Sequence, residues 1–147
     1  MQTFLPYPDF AKSAATLDYR RLGKQRVEAL MLLRILTGRA PGRGWANHPA
    51  TKMWRGHEKA LADYALAVID AWVERGYKDT CRPKILAIRK GLKGSAAPPP
   101  WLGKRAFHRS HQSNLMRKDS VFYGKRFKGV PDDLPYVWPP SPARKDP

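Results

Sequence analysis

The sequence predicts an all-α protein, a single compact helical domain of about five helices, and three observations lead there. Apolar residues recur at three- and four-residue intervals through the long stretches. No stretch alternates apolar and polar residues in the way a half-buried strand requires. Glycine and proline fall where helices of ordinary length should start and stop.

Taken in order, "FLPYP" is extended, because Pro6 and Pro8 bias the residues before them away from the helical region. Asp9 can cap a first helix over 10–17. A second helix is expected over 20–37, stopping at Gly38, with Leu22, Leu30, Leu33, Ile35 and Leu36 supplying its buried side. "GRAPGRGWANH" is a loop containing Arg39 and Arg43. Pro49 suits the first turn of a third helix, bent or broken at Gly56 and ended by Gly76. Leu61, Tyr64, Ala65, Val68, Ile69, Trp72 and Val73 recur along it at helical spacing, which makes it the central core helix. "KDTCRPKILAIRKGL" offers a fourth helix, which Pro83 enters near its start, and "GSAAPPPWLG" is a connector. "KRAFHRSHQSNLMRKD" reads as a fifth helix. The remainder is a proline- and aromatic-rich tail without regular structure, draped over the helices through Tyr136, Val137 and Trp138. Residues 1–138 are expected to form the domain and 139–147 a flexible end.

Charge narrows the function. The 28 Lys and Arg against 12 Asp and Glu give a formal charge of +16. Self-repulsion on that scale usually serves a polyanionic partner, with nucleic acid first and an anionic membrane second. A single cysteine, Cys81, allows no intrachain disulfide. "MQTFLPYPDF" lacks the basic and apolar regions of a signal peptide, and no apolar patch approaches a membrane span. The expectation is a cytoplasmic, nucleoid-associated protein with no membrane partner.

Basic residues with aromatic neighbours come in three groups: Arg20 to Arg26, Arg39 through Trp45 to Arg55, and Lys104 to Lys118, continuing into "FYGKRFK". Lys and Arg would neutralise phosphates, while Ser110, Ser113 and Asn114 could bond phosphate oxygens, joined by His108 and His111 one turn apart. Trp45, Trp54 or Tyr123 could stack on an exposed base, or belong to the core. "HRSH", His48 and His57 form no convergent ligand set with suitable spacing, so neither metal nor other cofactor is expected. Carboxylates are scarce. Asp63, Asp70 and Glu74 read as a solvated helix face with partners four residues away, which leaves Glu28 and Glu58 flanked by basic residues. Glu28 is either the intrahelical partner of Lys24, worth a few tenths of a kcal/mol, or an acid kept at a DNA-binding surface for use.

Together, "YRRLGKQRVEAL", "HPATKMWRGHEKALADYALAVIDAWVERGY", "FHRSHQSNLMRKD" and "FYGKRF" resemble the pyrimidine-dimer DNA glycosylase/AP lyase family, in its order and over residues 1 to 127. The complete pattern, with "FLPYPDF" in front and "DLPYVWP" behind, is similar to a bacterial branch of it. The resemblance implies an N-terminal α-amine that attacks the sugar C1′ and forms a Schiff base. It also implies a glutamate near the start of the first long helix, and basic residues gripping a kinked duplex with an extruded base. An α-amine has a pKa near ~8, so a useful neutral fraction exists at physiological pH, and a carboxylate near C1′ stabilises developing oxocarbenium charge and moves protons.

Two departures stand out. Aligned through "YRRL" the family's glutamate falls on Arg21, and aligned through "RV" it falls near Gly23; the nearest acid in the helix is Glu28. Gln2 is too large for efficient removal of the initiator, so the amine is expected on Met1. The implied site is therefore Met1 and Glu28 as catalytic residues. Gln2, Arg20, Arg21, Lys24, Gln25, Arg26, His48, Arg55, His108, Arg109, His111, Ser113, Asn114, Arg117 and Lys118 would meet double-stranded DNA, which a monomer would bind. A relative that binds DNA without excising, or an RNA-binding module, explains the charge as well.

Overall fold

The computed structural model describes residues 2–139 and is all-helical over that span. Seven α-helices run in the order α1 Phe10–Thr16, α2 Tyr19–Leu36, α3 Pro49–Lys52, α4 Glu58–Glu74, α5 Arg82–Lys90, α6 Arg105–Lys118 and α7 Ser120–Tyr123, with a short 3₁₀ turn at Arg43–Asn47. The expected end beyond Pro139 lies outside the described residues. None of the described helices is long and apolar enough to cross a membrane.

Local chemistry accounts for the boundaries. The Asp9 carboxylate accepts from the Lys12 N–H at 3.0 Å and caps α1, and Asp18 does the same for the Arg21 N–H at 3.3 Å and caps α2. The expected third helix is two helices. Gly56 sits at φ +84°, in the left-handed region where a helix cannot continue, and the Glu58 carboxylate accepts its N–H at 3.0 Å. The tail also departs from expectation, because the Asp119 carboxylate accepts from the Phe122 N–H at 3.0 Å and starts α7.

The core forms around α4. Its Leu61, Tyr64, Ala65, Val68 and Ile69 are fully buried, together with Leu22, Ala29, Leu30 and Leu33 of α2 and Ile85 of α5. Each large aliphatic side chain there contributes roughly 1.5–3 kcal/mol over exposure. Asp63 and Asp70 were expected to pair along their own helix; both instead reach α5. Arg89 donates to Asp63 at 2.8 Å and Arg82 donates to Asp70. These pairs are part-exposed, so each is worth about 0–1 kcal/mol and aligns α4 with α5 rather than holding the fold.

One glycine of α2 is needed by packing. A β-carbon at Gly23 would stand 2.8 Å from the Trp72 indole. Replacing Gly23 by Ala should therefore destabilise by about 1–3 kcal/mol despite alanine's better helix propensity. Gly91→Ala, where the nearest atom would be 3.7 Å away, is the control. Urea unfolding midpoints of the two variants check this: the first should fall and the second should not.

Candidate active site

The site begins with a segment that has no secondary structure. Gln2, Thr3, Phe4 and Leu5 are buried, yet no neighbouring strand pairs with their backbone. A buried backbone must still satisfy its polar groups, so side chains serve. Gln25 accepts from the Phe4 N–H at 2.9 Å and donates to the Gln2 carbonyl at 2.6 Å. The Tyr64 hydroxyl lies 2.7 Å from Gln25 Oε1 and 2.9 Å from the Phe4 carbonyl, and the Trp54 indole N–H donates to Thr3 Oγ1 at 3.0 Å. From α6, His111 Nδ1 accepts from the Leu5 N–H at 2.9 Å, His108 Nδ1 lies 2.8 Å from the Leu5 carbonyl, and Gln112 donates to the Pro6 carbonyl at 2.8 Å.

These bonds set the histidine tautomers. His108 Nε2 accepts from the Gly103 N–H at 2.8 Å, so its proton is on Nδ1 and goes to Leu5. His111 Nδ1 is an acceptor, so its proton is on Nε2, which has no partner. Burial pushes His111 down to about 3 and lowers His108 as well.

The expected phosphate contacts of α6 are thereby corrected. His108, His111, Ser113 and Asn114 are buried and bonded within the chain. Ser113 Oγ accepts from the Leu134 N–H at 3.0 Å, and Asn114 donates to the carbonyls of Ser110 at 2.8 Å and Leu134 at 3.1 Å. Arg117 donates to the carbonyls of Asp132 at 2.7 Å and Leu134 at 2.9 Å. One side of α6 fastens the N-terminal segment, and another fastens residues 132–137. Arg109 faces a separate hollow with Tyr7 and Arg105, and exposed Arg55 donates to the Ala46 carbonyl at 3.5 Å. Arg26 is turned away too: it donates to Asp79 at 2.6 Å and lies 4.5 Å from the Trp72 ring centroid. Trp54 and Tyr123 are fully buried and offer no face to a base, whereas Trp45 is 40% exposed.

Among the described residues, the other predicted ones meet in one cleft of about 910 Å³. Arg20, Arg21, Lys24, Gln25 and Glu28 enter it from the first half of α2, where three- and four-residue spacing puts side chains on one face. Gln2 and Phe4 line it as well, His48 and Lys118 join from other elements, and Tyr136 and Trp138 add an aromatic wall. That wall is continuous: Tyr136 and Trp138 have ring centroids 5.3 Å apart, Trp138 and His48 5.9 Å, and His48 and Trp45 5.1 Å. His48 caps α3 by accepting from the Ala50 N–H at 3.0 Å, and burial lowers its pKa.

Three carboxylates border the cleft, Asp18, Glu28 and Asp119. Asp119 caps α7. Asp18 caps α2, accepts from the Tyr123 hydroxyl and pairs with Arg21 at 3.2 Å. Burial pushes the Asp18 carboxyl up, but the hydrogen bonds from Tyr123 and Arg21 more than offset it and hold it below its ordinary value. Glu28 is differently placed: its Oε2 accepts from the Gln2 backbone N–H at 3.2 Å and from Gln25 at 3.4 Å, with Lys24 Nζ 3.6 Å from its Oε1. The two positions where the resemblance expected an acid have other roles here. Arg21 is the partner of Asp18, and a side chain at 23 would run into Trp72. Among the described residues, no three His, Cys, Asp or Glu side chains converge as a metal site.

Residues 1–84 match the family model for pyrimidine dimer DNA glycosylase, more than half of the 147 residues. The chain belongs to that glycosylase family. The match spans the N-terminal segment and α1 to α4, and so includes Gln2, Glu28 and His48. The cleft is completed from beyond it by Lys118, Asp119, Phe122, Tyr136 and Trp138. No curated protein and no solved structure matches the chain. Sequence reasoning passed over Phe4, Asp18, Tyr19, Asp119 and Phe122 as cleft residues and read Tyr136 and Trp138 only as a tail over the helices; of these Asp18 and Asp119, as helix caps, had a local signal.

Proposed function

We propose that the protein is a DNA glycosylase and AP lyase working through a Schiff base, with the α-amine of Met1 as nucleophile and Glu28 as the acid–base group. Met1 lies outside the described residues. The observation that supports the assignment is the 3.2 Å bond from the Gln2 backbone N–H to the Glu28 carboxylate. The Met1 amine is three covalent bonds from that nitrogen, so bond lengths alone keep it within about 4 Å of the same peptide group.

The chemistry then follows from charge. A carboxylate beside the amine takes its proton and frees the lone pair for C1′. The same negative charge opposes the positive charge that develops at C1′ and O4′ as the base departs. Arg20, Arg21, Lys24 and Lys118 line the cleft and would meet the phosphates flanking the reacting nucleotide. A nucleotide turned out of the duplex would enter this cleft, and turning it out is cheapest at a damaged or missing base. The substrate in this reading is kinked double-stranded DNA, bound by a monomer.

The reading is tested by incubating the protein with a duplex containing an abasic site in the presence of borohydride. The expected result is a covalent protein–DNA adduct. Firm binding of the duplex with no adduct would mean a DNA-binding relative without excision, and stronger binding to structured RNA than to duplex would mean an RNA module.

A further inference from the structure

We infer that Val121 is a wedge, whose side chain enters the base stack of the duplex beside the extruded nucleotide and holds the gap open. This rests on the reading above, in which a nucleotide turns out of the duplex into the cleft, and extends it to the stack left behind. Val121 is 85% exposed; among the described residues the next most exposed large apolar side chain, Tyr19, is 51% exposed. A lone apolar residue on a surface is ordinary, but Val121 is not isolated. Lys118, Asp119 and Phe122 line the cleft, and Val121 stands among them in the chain without lining it. The short helix α7 therefore buries Tyr123, turns Phe122 to the cleft and leaves Val121 standing out beside it.

The mount is fixed. The Asp119 carboxylate accepts from the Phe122 N–H at 3.0 Å, and the Gly124 N–H donates to the Ser120 carbonyl at 2.9 Å. The Tyr123 ring stacks on Phe127 with centroids 5.7 Å apart. Its hydroxyl accepts from the Asp18 N–H at 3.0 Å and donates to the Asp18 carboxylate. Asp18 caps α2, so α7 is tied to the helix that carries Arg20 and Arg21 into the same cleft. Charge says what the tip meets. Lys118, Lys125, Arg126 and Lys128 are exposed along this stretch, and the Arg126 guanidinium lies 3.8 Å from the Phe122 ring centroid. An apolar tip among cations suits a partner that is anionic outside and apolar within, and a duplex with a nucleotide missing from its stack is such a partner. Apolar side chains inserted at a base step unstack it and kink the duplex, and the exchange removes both the side chain and the base faces from water.

The test times borohydride trapping of an abasic site by the full chain on two duplexes. One is fully paired; in the other, mismatches replace the pairs on either side of the site, so the stack there is already open. The ratio of the paired to the mismatched rate should fall about 10-fold in Val121→Ala, the loss expected when two methyl groups no longer leave water. Val121→Leu, which restores the apolar bulk, should regain the ratio. Urea midpoints of both variants should match the parent, because so exposed a side chain supports little of the fold. An unchanged ratio in Val121→Ala would overturn the assignment. So would equal losses on the two duplexes, which would make Val121 a support of the reacting groups, or a ratio that Val121→Leu leaves as low as Val121→Ala does. A parent protein that traps neither duplex overturns the Schiff-base reading instead, and this inference with it.

Discussion

Replacing Glu28 by Gln should lower both base release and abasic-site trapping by about 10²–10⁴-fold, the range over which a positioned acid–base group acts. The expectation is specific because the substitution preserves almost everything else. A glutamine oxygen can still accept from the Gln2 N–H, which lies 3.2 Å from the carboxylate, and from Gln25 at 3.4 Å. The pair with Lys24 is lost, but Lys24 is 75% exposed and such a pair contributes only about 0.3–0.5 kcal/mol. The melting temperature should therefore move little while the chemistry disappears. A large fall in stability with a proportionate fall in activity would show that Glu28 serves the fold, and full activity would leave the cleft without its acid.

The second large effect is on stability and comes from His111. Its folded pKa of about 3 lies far below the ordinary 6.5. Between those two values the unfolded chain binds a proton that the folded chain refuses. The contribution is therefore complete above pH 6.5 and is lost as pH falls toward 3, to a total of roughly 5 kcal/mol. His108, also lowered by burial, adds in the same direction. Asp18 and Asp79 are lowered as carboxylates, so their contributions are present above the usual carboxylate range and disappear only below it, in a more acidic window. Urea midpoints measured across pH should slope downward as pH falls below 6.5, above the window of Asp18 and Asp79. His111→Asn, which offers an acceptor toward the Leu5 N–H but cannot titrate, should be less stable at neutral pH and should flatten that slope. An undiminished slope in the variant would place the titration elsewhere. Activity should fall in the same window, because His111 holds Leu5 and with it the segment on which Gln2 meets Glu28.

Much of this architecture can be read from local signals. Apolar spacing marks α2 and α4, and Asp9, Gly38 and Gly76 mark helix ends that the structure keeps close to their expected places. The same spacing puts Arg20, Arg21, Lys24 and Glu28 on one side of α2, and they line one cleft. Where local reading stops, a distant segment decides. His108, His111, Ser113 and Asn114 have the spacing of a polar surface, but their partners are the backbones of residue 5 and residue 134, about 20 residues or more away. Nothing within α6 distinguishes a phosphate-facing row from one that clasps an extended strand-like segment. Arg26 belongs by sequence to the basic cluster, yet Asp79 and Trp72 draw it to the opposite side. Gly23 is the converse case. The absent acid there looks like a loss until the Trp72 ring is placed above it, after which glycine is the residue that fits.

The central claim is that the amine next to Gln2 performs the chemistry beside Glu28. Mass spectrometry of the borohydride-trapped adduct, after digestion of both protein and DNA, tests it most directly. The predicted result is a deoxyribose remnant on the α-amine of the N-terminal peptide, absent when that amine is acetylated beforehand. A remnant on any lysine, or an adduct that survives acetylation, would contradict it.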